Sequence, residues 1–369
     1  MKNTFGSSVQ ITLFGESHGK TIGAVLDGLP AGIPVFPERI AKQLELRRPY
    51  GKISTGRVEA DRFEIVSGVF EGKTTGTPLC IIIPNENVQS GDYTLLRSVA
   101  RPGHADYTAY VKYHGFEDYR GGGHFSGRVT AALTAAGAVA IAALQGKGIR
   151  IGTHITRCAG ICDRGFVDMK EDIGELNGKV FAVLDEKAGA EMQEAIRIAA
   201  EEGDSVGGIL ETAVTGVPAG VGEPWFDTLE GILAHGLFSI PGIKGVQFGA
   251  GFDGTDLRGS EFNDPFRMEG GQVRTLSNNN GGINGGITNG MPLLFRCAVK
   301  PTPTIFREQK TVDFRKGEDA MLVPKGRHDP AIIHRARVVV DSVTALALCD
   351  LLAQRYGTEG LGGTGCFTD

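Results

Sequence analysis

The sequence predicts an α+β fold built as a single domain over residues 1–369. The chain has 369 residues, of which 41% are apolar, enough for a large buried core. Helix-like and strand-like segments are separated by glycine-rich turns, and the 55 glycines show no three-residue period that would indicate collagen. No linker rich in proline, serine or charge divides the chain. Basic segments suited to one pocket come from both ends, which favours one domain over two.

Hydrophobic periodicity and helix-breaking residues predict the main elements. Residues 37–48 predict a helix, because Pro37 suits a first helical position and Pro49 stops the helix. Strands at 63–70 and 79–84 are joined by a turn-rich segment, so a hairpin is the simplest interpretation. The remaining predictions are an Ala-rich helix buried on most sides at 126–144 with Ser126 as its N-cap, helices at 187–202 and about 331–356, and glycine-punctuated strands between 206 and 325.

One short pattern occurs twice in the chain. Residues 72–79 and 286–293 share G-x-T-x-G-x-P-L, and an apolar strand follows each of them. We hypothesise that they are equivalent hairpins in two similar sheets of one domain with an internal pseudo-twofold. Coincidence is the alternative, since only five of eight positions match.

Composition argues against several classes of protein. The net charge of −5 and the pI near 6.0 disfavour a general nucleic-acid binder. Six cysteines are scattered, and only Cys158 and Cys162 are close, at a spacing unusual for zinc, so no metal site is expected. The N-terminus has no apolar signal core, and we expect no stretch as long as a membrane span. We therefore expect a cytoplasmic protein with reduced thiols and no membrane partner.

Three histidines lie in short frames bounded by glycine or proline, at 15–19, 101–107 and 326–330. Such neighbours fix a turn beside a titratable side chain and let another molecule approach closely. Basic residues cluster around these frames, a pattern that suits a small polyanionic ligand in one pocket. The histidines are His18, His104 and His328, and the basic residues are Arg47, Arg48, Lys52, Arg57, Arg101, Arg120, Arg128, Lys300, Arg307, Lys325 and Arg327.

Two local motifs are weak evidence on their own. Ser17 beside His18 could indicate nucleophilic catalysis, but adjacent residues seldom form such a dyad, and the G-x-S-x-G elbow is missing. The triple glycine at 121–123 runs into a predicted helix whose backbone amides could hold a phosphate, although such glycines more often form only a tight turn. Neither a nucleotide nor a dinucleotide glycine loop is present in the sequence.

In chain order, these frames resemble those of the chorismate synthase family. The segments that carry the resemblance are Gly15–Gly19, Arg48–Pro49, Thr55–Arg57, Ser67–Pro78, Arg101–Tyr107, Tyr119–Gly123, Gly281–Ile287, Lys300–Thr302 and Gly326–Pro330. They span nearly the whole chain, and their coincidence is far more specific than any one frame. The resemblance implies antiparallel sheets packed with helices in a β-α-β sandwich.

The resemblance also implies an activity. It is the anti-1,4-elimination of phosphate and a C6 hydrogen from 5-enolpyruvylshikimate 3-phosphate, giving chorismate, the last step of the shikimate pathway to aromatic amino acids. Reduced FMN (FMNH2) would be the cofactor, and a separate flavin reductase or a reducing environment would keep it reduced. A homotetramer is also implied. The residue types fit, because the anionic substrate needs guanidinium and ammonium groups, and expulsion of phosphate needs an acid.

Residue roles carry over to the matching positions. They imply that His18 protonates the leaving phosphate, that His104 protonates reduced flavin near N1, and that Asp329 acts in a proton relay at flavin N5. Ser17 and Ser126 are implied to assist that relay. The implied FMN contacts are His124, Phe125, Ser126, Pro241, Gly242, Gly285, Lys300, Pro301, Thr302, Pro303, Thr304 and Arg327. The cations available for the substrate are Arg48, Arg57, Arg101, Arg128 and Lys300.

Some positions depart from the family pattern. His124 stands where the family usually has arginine, Val129 where it has glutamate, and Pro241-Gly242 where an Asn-Ala pair is common. We hypothesise that these changes loosen FMN affinity without abolishing elimination. Two rival functions remain, a flavin-dependent oxidoreductase, disfavoured by the missing dinucleotide fingerprint, and a non-enzymatic module that binds an anion.

The other polar residues near the frames have simpler interpretations. Asp329 alone would be interpreted as an N-cap before Pro330, and it could play both parts. We expect His328 to support Asp329 or the helix entry rather than to act directly. His114, His154, His235 and His334 lie in no frame and are expected to be surface or core residues.

Overall fold

The computed structural model describes residues 2–56, 60–86, 97–324 and 328–367. The strands of the first half are β1 (Thr4–Phe5), β2 (Gln10–Gly15), β3 (Thr21–Asp27), β4 (Glu64–Ser67), β5 (Val69–Phe70), β6 (Lys73–Thr74) and β7 (Leu79–Pro84). Those of the second half are β8 (Arg150–Cys158), β9 (Ile161–Cys162), β10 (Gly208–Thr215), β11 (Ile243–Phe248), β12 (Phe266–Glu269), β13 (Gln272–Thr275), β14 (Ile283–Asn284), β15 (Ile287–Thr288), β16 (Leu293–Val299), β17 (Gln309–Asp313) and β18 (Glu318–Leu322). The helices are α1 (Pro37–Arg47), α2 (Asp106–Tyr113), α3 (Thr130–Gly146), α4 (Met169–Leu176), α5 (Glu186–Glu201), α6 (Leu229–Phe238), α7 (Gly259–Phe262) and α8 (Ile333–Tyr356).

All four predicted helices are present, as α1, α3, α5 and α8. α1 begins with Pro37 and ends before Pro49, as the two prolines predicted. α5 begins one residue earlier than predicted, because the Asp185 carboxylate accepts two backbone N–H groups of its first turn. Ser126 caps a short 3-10 turn that leads into α3. The sequence interpretation missed α2, α4, α6 and α7.

Two five-stranded antiparallel sheets enclose a layer of helices. Their strand orders are β1-β2-β3-β7-β4 and β11-β16-β10-β8-β9. α3 packs on β3 and β7 of the first sheet, α8 packs on β8 and β10 of the second, and the two helices pack against each other. Both sheets and the helices contribute to one hydrophobic core. The α+β class and the β-α-β sandwich are therefore confirmed.

The two sheets are built in the same order. Apart from the edge strands β1 and β9, the order β2-β3-β7-β4 of the first sheet corresponds to β8-β10-β16-β11 of the second. Along the chain, each half also has a helix after its second strand, α1 or α6, and a long helix after its last strand, α3 or α8. The internal repeat expected from the sequence is therefore present.

Two threonines fix the equivalent hairpins in the same way. Thr74 Oγ1 accepts a hydrogen bond from the Ile33 amide at 2.9 Å and donates one to the Pro30 carbonyl at 2.6 Å, at the two ends of the 30–33 loop. Thr288 Oγ1 makes the same two bonds to the 218–221 loop, at 2.9 and 2.6 Å. Both loops begin with Pro-Ala-Gly, a second repeated pattern that the sequence interpretation missed.

One helical stretch is longer and more apolar than expected. Residues Gly127–Gly146 are long and apolar enough to span a membrane by those two criteria alone, so the expectation that no stretch reaches this length was wrong. In the protein, 72% of its apolar 18-residue window is buried. It packs against α1, α8 and the first sheet, which makes it a core helix.

Long insertions follow the last strand of each half. The first connects β7 to α3, and the second connects β16 to α8. A β-bridge joins Val99 of the first insertion to Asp313 of the second, and the ring centroids of Tyr110 and Phe314 lie 4.8 Å apart. The two insertions therefore lie side by side, and they carry most of the candidate site residues.

Candidate active site

A cavity of about 920 Å³ lies where the two insertions meet the helical layer. Its wall is formed by parts of β1, β2 and β11, the end of α1, the start of α3, the end of α6, the first half of α8 and the loops around them. This volume is typical of sites for small molecules. The predicted residues in the wall are Arg101, His104, His124, Phe125, Ser126, Arg128, Pro241, Gly242, Lys300, Thr302, Pro303, Thr304 and Asp329.

Other predicted residues lie outside this wall. Arg48 is half-buried, and its guanidinium donates to a neighbouring backbone carbonyl. Gly285 is exposed in the turn between β14 and β15, and Pro301 is exposed after β16. Two further predicted residues, Arg57 and Arg327, lie outside the described residues. The roles assigned to these five positions stay predictions.

Ser17 and His18 are buried beside the triple glycine. His18 Nδ1 lies 3.3 Å from Ser17 Oγ, and the Ser17 amide donates to the Gly123 carbonyl. A Cβ placed on Gly121 would lie 2.3 Å from atoms of the His18 ring, and Gly121 has a φ of +58°. Glycine is required there, because any side chain would overlap the imidazole in a backbone conformation that other residues disfavour. The cavity wall at Gly121 is therefore backed by the His18 ring.

The next glycine supports the second histidine. A Cβ on Gly122 would lie 3.1 Å from Cε1 of His104. His104 Nδ1 is 2.8 Å from Asp106 Oδ1, and Arg101 donates to both oxygens of Asp106. Burial alone would raise the pKa of Asp106, but hydrogen bonds and charge from Arg101 and His104 hold that pKa well below its usual range. The rings of His18 and His104 thus pack on consecutive glycines.

His124 ties the triple-glycine segment to the end of β2. Its Nδ1 lies 2.7 Å from the carbonyl oxygen of Gly15. Because a carbonyl only accepts hydrogen bonds, the Nδ1 nitrogen carries the proton and donates it. Ser126 Oγ accepts the Arg128 amide at 3.3 Å. These two bonds hold the loop that separates the histidines from α3.

Asp329 is fixed at the entrance of α8. Its Oδ1 accepts the Thr55 amide at 2.9 Å, and its Oδ2 accepts from Nη1 of Arg335. The N-cap of α8 is Ile332, which makes no side-chain cap bond, so the interpretation of Asp329 as an N-cap was wrong. The His328 ring packs beside Phe306, with centroids 5.6 Å apart. Asp329 is thus a carboxylate held in the wall by an arginine and a backbone amide.

Arg128 lies in a buried charge network. Its guanidinium donates to Asp61 and, at 3.0 Å, to Asn85 Oδ1. Arg47 lies in the same network, 3.7 Å from Asp61, and donates to Thr130 Oγ1 at 2.9 Å. Asp61 adopts a φ of +48°, which an aspartate tolerates better than most residues. Arg128, predicted for substrate binding, therefore also stabilises the cavity wall. Arg47 was expected among the basic residues near the pocket but not among the substrate-binding residues, and it lies in the wall as well.

Lysines also line the cavity. Lys300 Nζ donates to the Gly103 carbonyl at 2.6 Å, which joins the second insertion to the His104 loop. Burial and the charge of Lys244 lower the pKa of Lys300. Lys244 lies in the wall, as does His235, whose ring packs edge-on to Phe5. The sequence interpretation missed both, because it assigned no site role to His235 and extended the Pro241-Gly242 contact no further along the chain.

The described wall residues carry a marked excess of positive charge. Only two carboxylates, Asp61 and Asp329, face them. Such an excess favours an anionic ligand. The basic wall residues are Lys2, Arg47, Arg101, Arg128, Lys244, Lys300 and Arg335.

A family model described as chorismate synthase matches residues 9–353 of the chain. The chain belongs to the chorismate synthase family. A chorismate synthase from one strain of Dehalococcoides mccartyi is 46% identical over 354 residues, which cover 95% of this chain and 96% of that relative. The chorismate synthase of Thermococcus kodakarensis is 44% identical over 356 residues, covering 96% and 99%. A crystal structure of chorismate synthase matches with a TM-score of 0.73 and 27% identity, covering 95% of this chain and 93% of that one.

Membership in the chorismate synthase family makes the protein an enzyme of the lyase class and confirms the resemblance found in the sequence. The positions that depart from the usual chorismate synthase pattern lie in the cavity wall. His124 uses Nδ1 to hold Gly15, and Val129 is buried against the core, with only 6% of its surface exposed. A glutamate at 129 would therefore need a partner in the wall. The hypothesis that these departures loosen FMN binding stays a prediction.

Proposed function

We propose that this protein catalyses the anti-1,4-elimination of phosphate and a C6 hydrogen from 5-enolpyruvylshikimate 3-phosphate to give chorismate, the last step of the shikimate pathway. The observation that carries the proposal is one cationic cavity to which both halves of the repeat contribute. The first half supplies the His104 loop and, behind Gly121, His18, and the second half supplies Lys300 and Asp329. A substrate with two carboxylates and a phosphate needs such a basic surface to offset its desolvation.

Reduced FMN is the proposed cofactor, and the wall fits it. Thr302 Oγ1 is buried without a hydrogen-bond partner in the described part of the chain, so a polar group of a ligand would satisfy it. Lys300 and His124 supply polar contacts nearby, and Pro241-Gly242 supplies an apolar surface. These residues, with Phe125 and the 302–304 segment, would hold the flavin. When bound, the flavin would supply an electron transiently and recover it as the C6 hydrogen is removed.

The protein's own groups manage the protons of this reaction. The C–O bond to phosphate and the C6–H bond break while a new double bond forms, so the reaction is redox-neutral overall. In our proposal His18 gives a proton to the leaving phosphate, and His104 holds one at the edge of the flavin site. Asp329, fixed by Arg335 and the Thr55 amide, receives the C6 proton by way of a relay that Ser17 and Ser126 assist.

An anaerobic assay tests this function. Purified protein receives FMN that dithionite has already reduced, then 5-enolpyruvylshikimate 3-phosphate, and phosphate and chorismate are followed together. We expect equal release of both products with reduced FMN and none with oxidised FMN. Tight ligand binding without phosphate release would contradict the proposal and favour a binding module, whereas net oxidation of the flavin by another acceptor would favour an oxidoreductase.

Alanine variants of the two histidines separate catalysis from binding. For His18→Ala and His104→Ala we expect kcat to fall about 10²–10⁴-fold, the range typical of a lost general acid or base. Binding of the substrate to each variant, followed by calorimetry with oxidised FMN present, should stay within a few-fold of wild type. Unchanged kcat in both variants would remove the proposed proton roles.

The remaining proposals concern the environment of the enzyme. We propose that the chain acts as a single domain over residues 1–369, assembles as a homotetramer and works in the cytoplasm. There it depends on a separate flavin reductase or a reducing environment for FMNH2 and has no nucleic-acid partner. Light scattering on the purified protein measures the assembly state, and a mass other than four chains would exclude the tetramer.

A further inference from the structure

Asp106 occupies an unusual position for the first residue of a helix. It opens α2, yet its side chain is only 7% exposed. Its Oδ2 accepts the backbone amide and Nε of Arg101, at 2.9 and 2.8 Å. Its Oδ1 accepts Nη2 of Arg101 at 2.7 Å and lies 2.8 Å from Nδ1 of His104. Both oxygens are thus fully used, and the only group among these partners that can change its protonation is His104.

These contacts decide which nitrogen of His104 carries the proton. Asp106 is ionised, because its pKa lies well below the usual range, and an ionised carboxylate only accepts hydrogen bonds. Arg101 Nη2 lies 3.0 Å from His104 Nδ1, but it already donates to Asp106 Oδ1 at 2.7 Å. An unprotonated Nδ1 would place its lone pair 2.8 Å from the lone pairs of that oxygen, which is unfavourable. The proton of the neutral ring therefore sits on Nδ1. Nε2 is left as the proton-accepting atom, on the side of the ring that faces Gly122.

We propose that Asp106 is a positioning residue that fixes the tautomer and orientation of His104, so that Nε2 takes up and returns the proton during turnover. The inference rests on the proposed function for the use of that proton, but the tautomer is a property of the protein alone. Arg101 acts in the same unit, because its two guanidinium bonds fix both oxygens of the carboxylate beside the imidazole.

Other groups that face His104 do not replace Asp106. Glu117, Asp118 and Tyr119 line a water-sized space of about 20 Å³ beside the ring, and Phe314 closes it from the second insertion. The Asp118 carboxylate is occupied by Arg120, at 2.8 Å through Nε. On the cavity side, Lys300 binds the Gly103 carbonyl rather than the ring. Among the described residues, Asp106 is the carboxylate hydrogen-bonded to His104.

Asp106→Asn is a sharp test because the amide cannot satisfy all the donors. An NH2 group in place of Oδ2 would face two fixed donors of Arg101. In place of Oδ1 it would face Arg101 Nη2 and His104, and only His104 can respond, by moving its proton to Nε2. We therefore expect the variant to hold the opposite tautomer of His104, with Nε2 blocked as an acceptor.

The experiment measures the tautomer directly. Nitrogen NMR of histidine-labelled, ligand-free protein at a pH where the ring is neutral distinguishes Nδ1–H from Nε2–H, and a His104→Gln sample assigns the signal. We expect Nδ1–H in wild type and Nε2–H in Asp106→Asn. In the anaerobic assay, kcat of that variant should fall at least about 10²-fold with KM within a few-fold of wild type.

The matched control is Asp172→Asn. Asp172 is a buried carboxylate that accepts two bonds from Arg164 and one from a backbone amide, and among the described residues no histidine is seen to donate to it. This variant should keep the His104 tautomer and kcat. An Nε2–H tautomer in wild type, or an unchanged tautomer in Asp106→Asn, would overturn the inference even if the protein showed no elimination activity. Failure of elimination in wild type with the expected tautomers would count against the proposed function alone.

Discussion

The two halves of the repeat, β2 to α3 and β8 to α8, share a scaffold but differ at one equivalent residue pair, which is apolar in the first half and charged in the second. In each half, the residue pairs between the first two strands can be counted from the end nearest the Pro-Ala-Gly loop. The fifth pair is Phe14 with Gly23 in the first half and His154 with Glu211 in the second. The Phe14 ring covers Gly23, where a Cβ would lie 2.2 Å from it. His154 instead bonds Glu211 at 3.1 Å and Asp163 at 2.8 Å.

The insertions differ between the halves as strongly as the cores. The first half places His104 and His124 between its last strand and last helix, and the second half places Lys300 and Asp329 there. Strands and hairpins are thus duplicated, whereas most candidate site residues lie in the two insertions, whose sequences differ. Substitutions at positions where both halves have the same residue, such as Thr74 and Thr288, should therefore lower stability equally. Substitutions in the insertions should lower activity.

The largest expected effect is that of Gly121→Ala. Its methyl group would overlap the His18 ring, and the φ of +58° adds strain, so His18 must move. Small displacements of a catalytic group can cost about 10²-fold, and we expect a loss of kcat/KM of at least that size in the anaerobic elimination assay.

Gly174→Ala is the control for this prediction. Gly174 is exposed within α4, and nothing lies within 4 Å of a Cβ placed there. Alanine in a helix interior stabilises by up to about 1 kcal/mol relative to glycine, so this variant should keep full activity. Wild-type activity in Gly121→Ala would show that the cavity tolerates a shift of His18. The close contact between Gly121 and the His18 ring would then not be needed for activity.

The next prediction compares the repeated threonines. Thr74→Val and Thr288→Val keep the shape but leave a buried backbone amide and a carbonyl without their hydroxyl partner. Each should lower the free energy of unfolding by about 1–3 kcal/mol, as measured by urea denaturation. Because the sites lie in different sheets, the double variant should show the sum within about 0.5 kcal/mol.

Serine variants at the same positions retain the hydroxyl and serve as controls. We expect Thr74→Ser and Thr288→Ser to recover most of the loss. If one valine variant were neutral and the other costly, the two hairpins would not be energetically equivalent, and the repeat would be limited to backbone topology.

Much of the fold could be predicted because local signals agree with the tertiary structure. Pro37 and Pro49 mark both ends of α1, and the repeated pattern at 72–79 and 286–293 identified equivalent hairpins. The helix predicted at 126–144 is present, but it begins with a 3-10 turn and α3 continues two residues further, to Gly146. Strand order and the packing of α3 on α8 depend on long-range contacts that no local pattern encodes.

The site was predicted in part. The frames identified the loops that carry His18, His104 and Asp329, but the choice of Arg48 over Arg47 overlooked a helical signal. Arg47 follows Leu44 by three positions on the buried face of α1, so its side chain points into the protein, where it reaches the cavity wall. The contact between Asp106 and His104 could have been suspected from their spacing of two residues. The packing of Gly121 on the His18 ring could be seen only in the structure.

The smallest predicted effect concerns pH and returns to the pair that differs between the halves. Burial alone would lower the pKa of His154, but hydrogen bonds to Asp163 and Glu211 raise it above the ordinary value of 6.5. A group with a higher pKa in the folded state stabilises the fold below the pKa of the unfolded chain, and this contribution is lost as the pH rises above 6.5. The Phe14–Gly23 pair carries no titratable group, so this loss originates in the second half alone.

His154→Gln and His334→Gln test this assignment with opposite signs. Burial lowers the pKa of His334 to about 4, so its contribution is lost as the pH falls from 6.5 towards 4. Urea midpoints measured between pH 4.5 and 8.5 should show that His154→Gln removes part of the decline above pH 6.5, and that His334→Gln removes part of the decline below it. If the urea midpoint of His154→Gln fell above pH 6.5 as much as that of wild type, the His154–Glu211 pair would contribute no more to the pH dependence of stability than the Phe14–Gly23 pair.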